Sequence, residues 1–255
     1  MLHYEIVSKS TDLPWVLCIH GAGGNINTWK FQIEDLSASF QLLLVDLRDH
    51  GNSNYCEDQV PLYSFDLIAK DVLKVVDHLE LERLAVISLS MGSMIAQKMA
   101  MLRPQLITFS VYAGGVFHVT LAIHLFAHSA WILTKFISYR SMYRIFSWLV
   151  MPRKNHQLSR RLYMRQAALL TQSAYNRWIR LYGEFRNTLR SFFNSNLEIP
   201  SLVIMGSQDY IFLKAAKRYA RKSSTCKLIV LEECGHICNI ERATDFNRLV
   251  LQYVK

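Results

Sequence analysis

The chain has 255 residues, 51% of them hydrophobic, and 29 Lys and Arg against 20 Asp and Glu give it a formal net charge of +9. That much apolar material excludes a disordered or fibrous chain, and the length suits one large α/β domain with room for an inserted subdomain. The five cysteines, Cys18, Cys56, Cys226, Cys234 and Cys238, form an odd set without paired spacing, which argues against a disulfide framework and for reduced thiols. The start, Met1-Leu-His-Tyr-Glu-Ile-Val7, lacks the basic and apolar stretches of a secretory signal, so a cytoplasmic location is expected.

Along the chain, short apolar runs alternate with helical patterns. His3 to Val7 can add an edge strand. Trp15 to His20 is an apolar strand that runs into His20-Gly-Ala-Gly-Gly24, a loop whose glycines can present backbone N–H groups free of side chains. Such a loop suits the stabilisation of a developing oxyanion. It does not suit a nucleotide, because no third spaced glycine opens a helix and no Lys-Ser/Thr follows. Gln41 to Asp46 is the next strand, and the polar segment Asp46-Leu-Arg-Asp-His-Gly-Asn-Ser53 after it reads mainly as a rigid loop. Phe65 to Leu79 carries Leu67, Ile68, Val72, Val75, Val76 and Leu79 at helical spacing.

The strand Leu84 to Ser88 leads into Ser88-Leu-Ser-Met-Gly92 and a helix from Met94 to Leu102, before Pro104. A sharp strand-to-helix turn lifts a serine hydroxyl out of the sheet, within reach of a base, which makes Ser90 the candidate nucleophile. The residues two before and two after it must be small, and Ser88 stands where glycine is usual. Further strands are Ile107 to Tyr112, Ser201 to Gly206 and Lys227 to Leu231. Asp209 follows the second of these and His236 the third. The chain order Ser90, Asp209, His236 suits a nucleophile, an orienting acid and a general base.

Continuous apolar strands alternating with helices predict an α/β fold with a doubly wound, mostly parallel sheet covered on both faces. Ligands of such sheets bind beyond the carboxyl ends of the strands, where each of these motifs falls.

The segments His20 to Gly24, Asp46 to Ser53, Ser88 to Gly92, Gly206-Ser-Gln-Asp209 and Gly235-His236 together resemble the α/β-hydrolase superfamily, in its branch of small serine esterases with a helical lid. The resemblance implies that Ser90 attacks, His236 moves the proton and Asp209 orients His236, while the backbone N–H groups of Ala22 and Met91 hold the oxyanion. It implies a hydrolase core in residues 1–115 and 196–255 and a helical cap in residues 116–195. The expected reaction is cleavage of a carboxylic ester or thioester through an acyl-enzyme, without cofactor. The motifs leave open a carbon-carbon bond hydrolase or lyase on the same triad, and a weakly catalytic signal-binding protein of the same fold.

Residues 116–195 hold twelve Lys and Arg and one acid, Glu184, a net +11, so the rest of the chain sums to −2. A solvated helix face, an anionic small-molecule substrate and an anionic membrane surface each account for this charge. His118, His124 and His128 interrupt the apolar run from Val116 to Leu133, so pocket lining is expected there rather than a transmembrane span. No recognition motif accompanies the arginines, and nucleic acid is not expected as a partner. Metal is not expected either: Cys234, His236 and Cys238 lack a fourth ligand, and His124 with His128 lacks a third.

Overall fold

The computed structural model describes residues 1–53, 62–118, 121–194 and 198–254; Cys56 lies outside them. The first half of the chain forms Tyr4–Val7 (β1), Trp15–Ile19 (β2), Ile33–Leu36 (α1), Gln41–Val45 (β3), Phe65–His78 (α2), Leu84–Leu89 (β4), Gly92–Leu102 (α3) and Ile107–Ala113 (β5). Helices follow at Leu121–Leu133 (α4), Tyr139–Val150 (α5), Gln157–Ala167 (α6), Gln172–Ile179 (α7) and Tyr182–Asn194 (α8). The chain then returns to the sheet with Ser201–Gly206 (β6), Leu213–Lys222 (α9), Cys226–Leu231 (β7), Cys238–Glu241 (α10) and Ala243–Tyr253 (α11).

The described strands make one sheet in the order β1-β3-β2-β4-β5-β6-β7. Only β1 is antiparallel, paired at the edge with β3 from Tyr4 opposite Val45 to Val7 opposite Leu42. Strands β3 and β4 are buried at every residue. This is what helices on both faces of a parallel sheet require, and it explains why these strands show no apolar-polar alternation. From β2 the chain goes outward to β3, then returns past β2 to β4. The order therefore reverses between β2 and β4, and a crevice opens at their carboxyl ends.

Strand ends differ from expectation by a residue. His20 and Asp46 belong to loops, because His20 turns its ring onto the chain after β3 and Asp46 caps neighbouring loops. Helix α3 begins at Gly92 rather than Met94, since Met91 already has helical backbone angles. Helix α2 starts where the Ser64 hydroxyl accepts the Leu67 N–H at 3.0 Å. It buries Ile68, Val72, Val75 and Val76 completely, each side chain contributing about 1.5–3 kcal/mol. No described helix is long and apolar enough to cross a membrane.

Candidate active site

Ser90 stands at the carboxyl end of β4 with φ of 51°, a left-handed conformation that costs a non-glycine residue about 1–2 kcal/mol. The surroundings hold it there. Its N–H donates to the Ala113 carbonyl, and its own carbonyl accepts the Ser93 N–H and hydroxyl at 2.9 and 2.6 Å. Gly92 is required by close approach, for a Cβ there would lie 2.6 and 2.7 Å from the carbonyl oxygens of Ile19 and His20. The other tight position tolerates Ser88, whose hydroxyl donates to the Val111 carbonyl at 3.2 Å.

His236 comes to Ser90 from the loop after β7. The Ser90 hydroxyl and His236 Nε2 are 2.8 Å apart, and His236 Nδ1 lies 2.7 Å from Asp209 Oδ2. A carboxylate only accepts, so Nδ1 carries the proton and Nε2 is free to accept from the serine. The second Asp209 oxygen accepts the Phe212 N–H at 3.0 Å, and Phe212 covers the imidazole with ring centroids 4.8 Å apart. Asp209 is fully buried and His236 nearly so. The structure thus brings together three residues separated by up to 146 positions.

The loop after β2 is held by two neutral histidines. His20 Nδ1–H donates to the Gly21 carbonyl at 2.8 Å, and its Nε2 accepts the Leu47 N–H at 3.0 Å. His50 Nδ1–H donates to the Arg48 carbonyl at 2.9 Å, and its Nε2 accepts the Gly23 N–H at 3.1 Å. Burial pushes their pKa values down, His20 to about 4 and His50 to about 3. Asp46 fastens the same region by accepting the N–H groups of Ile26 and Asn52, both at 2.8 Å. Ala22 and Met91 border one cavity with Ser90, and among the described residues neither backbone N–H has a hydrogen-bond partner.

That cavity measures about 160 Å³. Met142, Tyr143, Phe146, Tyr163, Tyr175, Trp178 and Phe185, from α5 to α8, wall it above Ala22, His50, Ser90 and Met91, and among the described residues no Lys, Arg, Asp or Glu lines it. A smaller recess of about 30 Å³ lies toward Gly24, Gln166, His236 and Ile240, also bordered by Ser90. Burial raises the phenols of Tyr143 and Tyr163 far above their usual range and that of Tyr175 to about 12, so all three stay protonated. The buried Tyr163 hydroxyl has no partner among the described residues.

Several supports were invisible in the residue order. Gly114, with φ of 53°, lies so close under the His236 loop that a Cβ would be 2.4 Å from the His236 carbonyl. Glu241, whose side chain is largely covered, accepts the Gly235 N–H at 2.6 Å and the Ser159 hydroxyl at 2.9 Å. His156 Nε2–H donates to Gln208 at 2.7 Å, so α6 and the turn before it brace the loops that carry both Asp209 and His236. Arg177 forms a two-pronged pair with Asp49 at 3.0 and 2.8 Å, and Trp178 donates to the Arg48 carbonyl at 3.1 Å, tying α7 to the loop after β3. Cys234 and Cys238 are buried free thiols whose pKa values burial raises, while both nitrogens of the intervening His236 are engaged with Ser90 and Asp209.

The sequence profile described as the Alpha/beta hydrolase family matches residues 16–249. Among curated relatives, the acetyltransferase component of the acetoin cleaving system from Pseudomonas putida is 24% identical over 263 residues, covering 95% of this chain and 63% of that protein. The rhodomycin D methylesterase of Streptomyces peucetius is 32% identical over 120 residues, 45% of this chain and 39% of that protein. The chain thus spans less than two thirds of either relative. Among solved structures, the esterase of Exiguobacterium antarcticum superposes with a TM-score of 0.84 at 19% identity, over 99% of this chain and 95% of that one. The enol-lactonase of Burkholderia xenovorans gives 0.80 at 20% identity, over 99% and 96%. With the doubly wound sheet already traced, the profile match across nearly the whole chain settles the kinship: this chain belongs to the alpha/beta hydrolase family.

Proposed function

We propose that the protein is a serine hydrolase that cleaves a neutral carboxylic ester or thioester bearing a medium-sized apolar group. The observation that carries this reading is the hydrogen-bonded series Ser90, His236, Asp209 at the floor of an apolar cavity. Ser90 Oγ attacks the carbonyl carbon as His236 Nε2 takes its proton, and buried Asp209 stabilises the imidazolium and holds its tautomer. The oxygen that becomes negative is received by the free N–H groups of Ala22 and Met91. Protonated His236 then gives its proton to the leaving alcohol or thiol. Water, deprotonated by the same imidazole, cleaves the acyl-enzyme and regenerates Ser90.

The cavity supports the substrate class. Its volume is close to that of the roughly 150 Å³ apolar cavity that takes up benzene, so a phenyl group or a chain of about six carbons fills it. Among the described residues, the basic charge of residues 116–195 does not reach its lining, which favours a neutral group there.

The test is incubation with p-nitrophenyl esters and with a fluorophosphonate probe. Turnover and labelling are expected in the wild type, both lost in Ser90→Ala. Labelling that persists in Ser90→Ala overturns the assignment.

A further inference from the structure

Helix α5 carries large apolar side chains beyond the face it buries. Met142, Tyr143 and Phe146 line the cavity over Ser90, and Val150 is buried beside them. Outside that face Ile145, Trp148 and Leu149 stand in solvent, with Trp148 54% exposed. A helix that buries one apolar face ordinarily turns polar residues outward, yet these three large apolar side chains are open to solvent. Leu158 on α6 adds a further exposed side chain.

Cations border the same face. Arg144, Lys154 and Arg161 line one open groove with Trp148, and the side chain of none of the three has a hydrogen-bond or ion-pair partner among the described residues. Arg160 lies beneath the indole, its guanidinium carbon 4.0 Å from the ring centroid, and it donates to the Met151 and Arg153 carbonyls. The indole is therefore held outward from below. The one acid in residues 116–195, Glu184, is engaged elsewhere, accepting the Phe65 N–H at 3.2 Å.

The surface needs two things at once: an apolar medium for Ile145, Trp148, Leu149 and Leu158, and phosphate oxygens for three unpaired cations. Nucleic acid would meet the cations and leave the aliphatic side chains in water. A bilayer boundary meets both, for indole rings settle at headgroup level, aliphatic groups reach the acyl chains and basic residues meet anionic headgroups. We propose that the α5–α6 face docks the protein peripherally on membranes containing anionic phospholipid. Because the inner side of α5 walls the cavity, docking brings that cavity next to a source of apolar substrates. The proposal does not depend on the reaction assigned to Ser90.

The test is flotation of the intact protein with vesicles of phosphatidylcholine alone, or of phosphatidylcholine and phosphatidylglycerol in equal parts, at low and high salt. The wild type is expected to float with the anionic vesicles at low salt and to be released at high salt. Neutralising each cation should weaken binding about fivefold, so the combined Arg144→Gln, Lys154→Gln and Arg161→Gln variant should lose on the order of 100-fold. Trp148→Ser should weaken it by about tenfold. Circular dichroism of the triple variant, and its hydrolysis of a soluble ester, should match the wild type. No capture by anionic vesicles, equal capture by neutral ones, or equal capture of the triple variant overturns the proposal. So does binding of an RNA oligonucleotide, but not of vesicles, that the triple variant loses.

Discussion

Replacing Asp209 by Asn removes one feature of the site while leaving its shape. The carboxylate accepts two N–H groups, from His236 at 2.7 Å and from Phe212 at 3.0 Å. An amide has one oxygen and one NH₂, so it can satisfy only one of these donors. With its oxygen on Phe212, its NH₂ faces Nδ1, and the imidazole must shift its proton to Nε2 to accept there. Nε2 then presents an N–H to Ser90 and cannot take the serine proton. With its oxygen on His236 instead, the NH₂ meets the Phe212 N–H and one buried donor goes unpaired. The first arrangement leaves no unpaired donor and should prevail. Turnover is then expected to drop about 10,000-fold, a loss of roughly 5.5 kcal/mol in transition-state stabilisation. Asp209 does not line the cavity, so KM should change little. Stability should fall by no more than about 1–3 kcal/mol, the cost of one buried unsatisfied group. Steady-state kinetics on a p-nitrophenyl ester, with a thermal melt of the same sample, reads all three quantities. A folded variant whose kcat stays within about tenfold of wild type would refute the claim that Asp209 sets the tautomer.

Two further outcomes follow from the cavity and from the buried histidines. Across p-nitrophenyl esters of increasing chain length, kcat/KM should climb about fourfold per methylene, reflecting about 0.8 kcal/mol per buried CH₂, and stop climbing near six carbons. A rise sustained to about twelve carbons would show that the walls from α5 to α8 do not close the space. His20 and His50, held near 4 and 3 against an ordinary 6.5, stay neutral in the fold while the unfolded chain protonates both. Stability from this source is therefore whole above about pH 6.5 and drains as pH falls toward the folded values, at up to about 1.4 kcal/mol per unit for each histidine. Urea midpoints between about pH 7.5 and pH 5 should show that slope, and His50→Gln should flatten it; identical slopes in the two proteins would contradict the burial argument.

Much of the site was legible in the residue order because parallel strands place all their carboxyl ends on one edge. Ser90, Asp209 and His236 each follow an apolar strand, and His20 to Gly24 follows another, so recognising the strands was nearly enough to bring the loops together. The tight turn at Ser90 and the small residue at Gly92 are likewise local features, spelled out within five positions. What only the tertiary structure decided rests on side chains that meet across long separations. Arg177 reaches Asp49 across 128 positions, which removes one cation from the surface that the charge count assigned to residues 116–195. Glu241 and the His156–Gln208 pair brace the loops that carry Asp209 and His236, and Gly114 clears room for the His236 backbone. Such pairings depend on how helices settle over the sheet, and they leave no periodicity or spacing behind them. The same holds for α5: the letters show an apolar, basic helix, but only packing shows which of its faces walls the cavity and which is left facing outward.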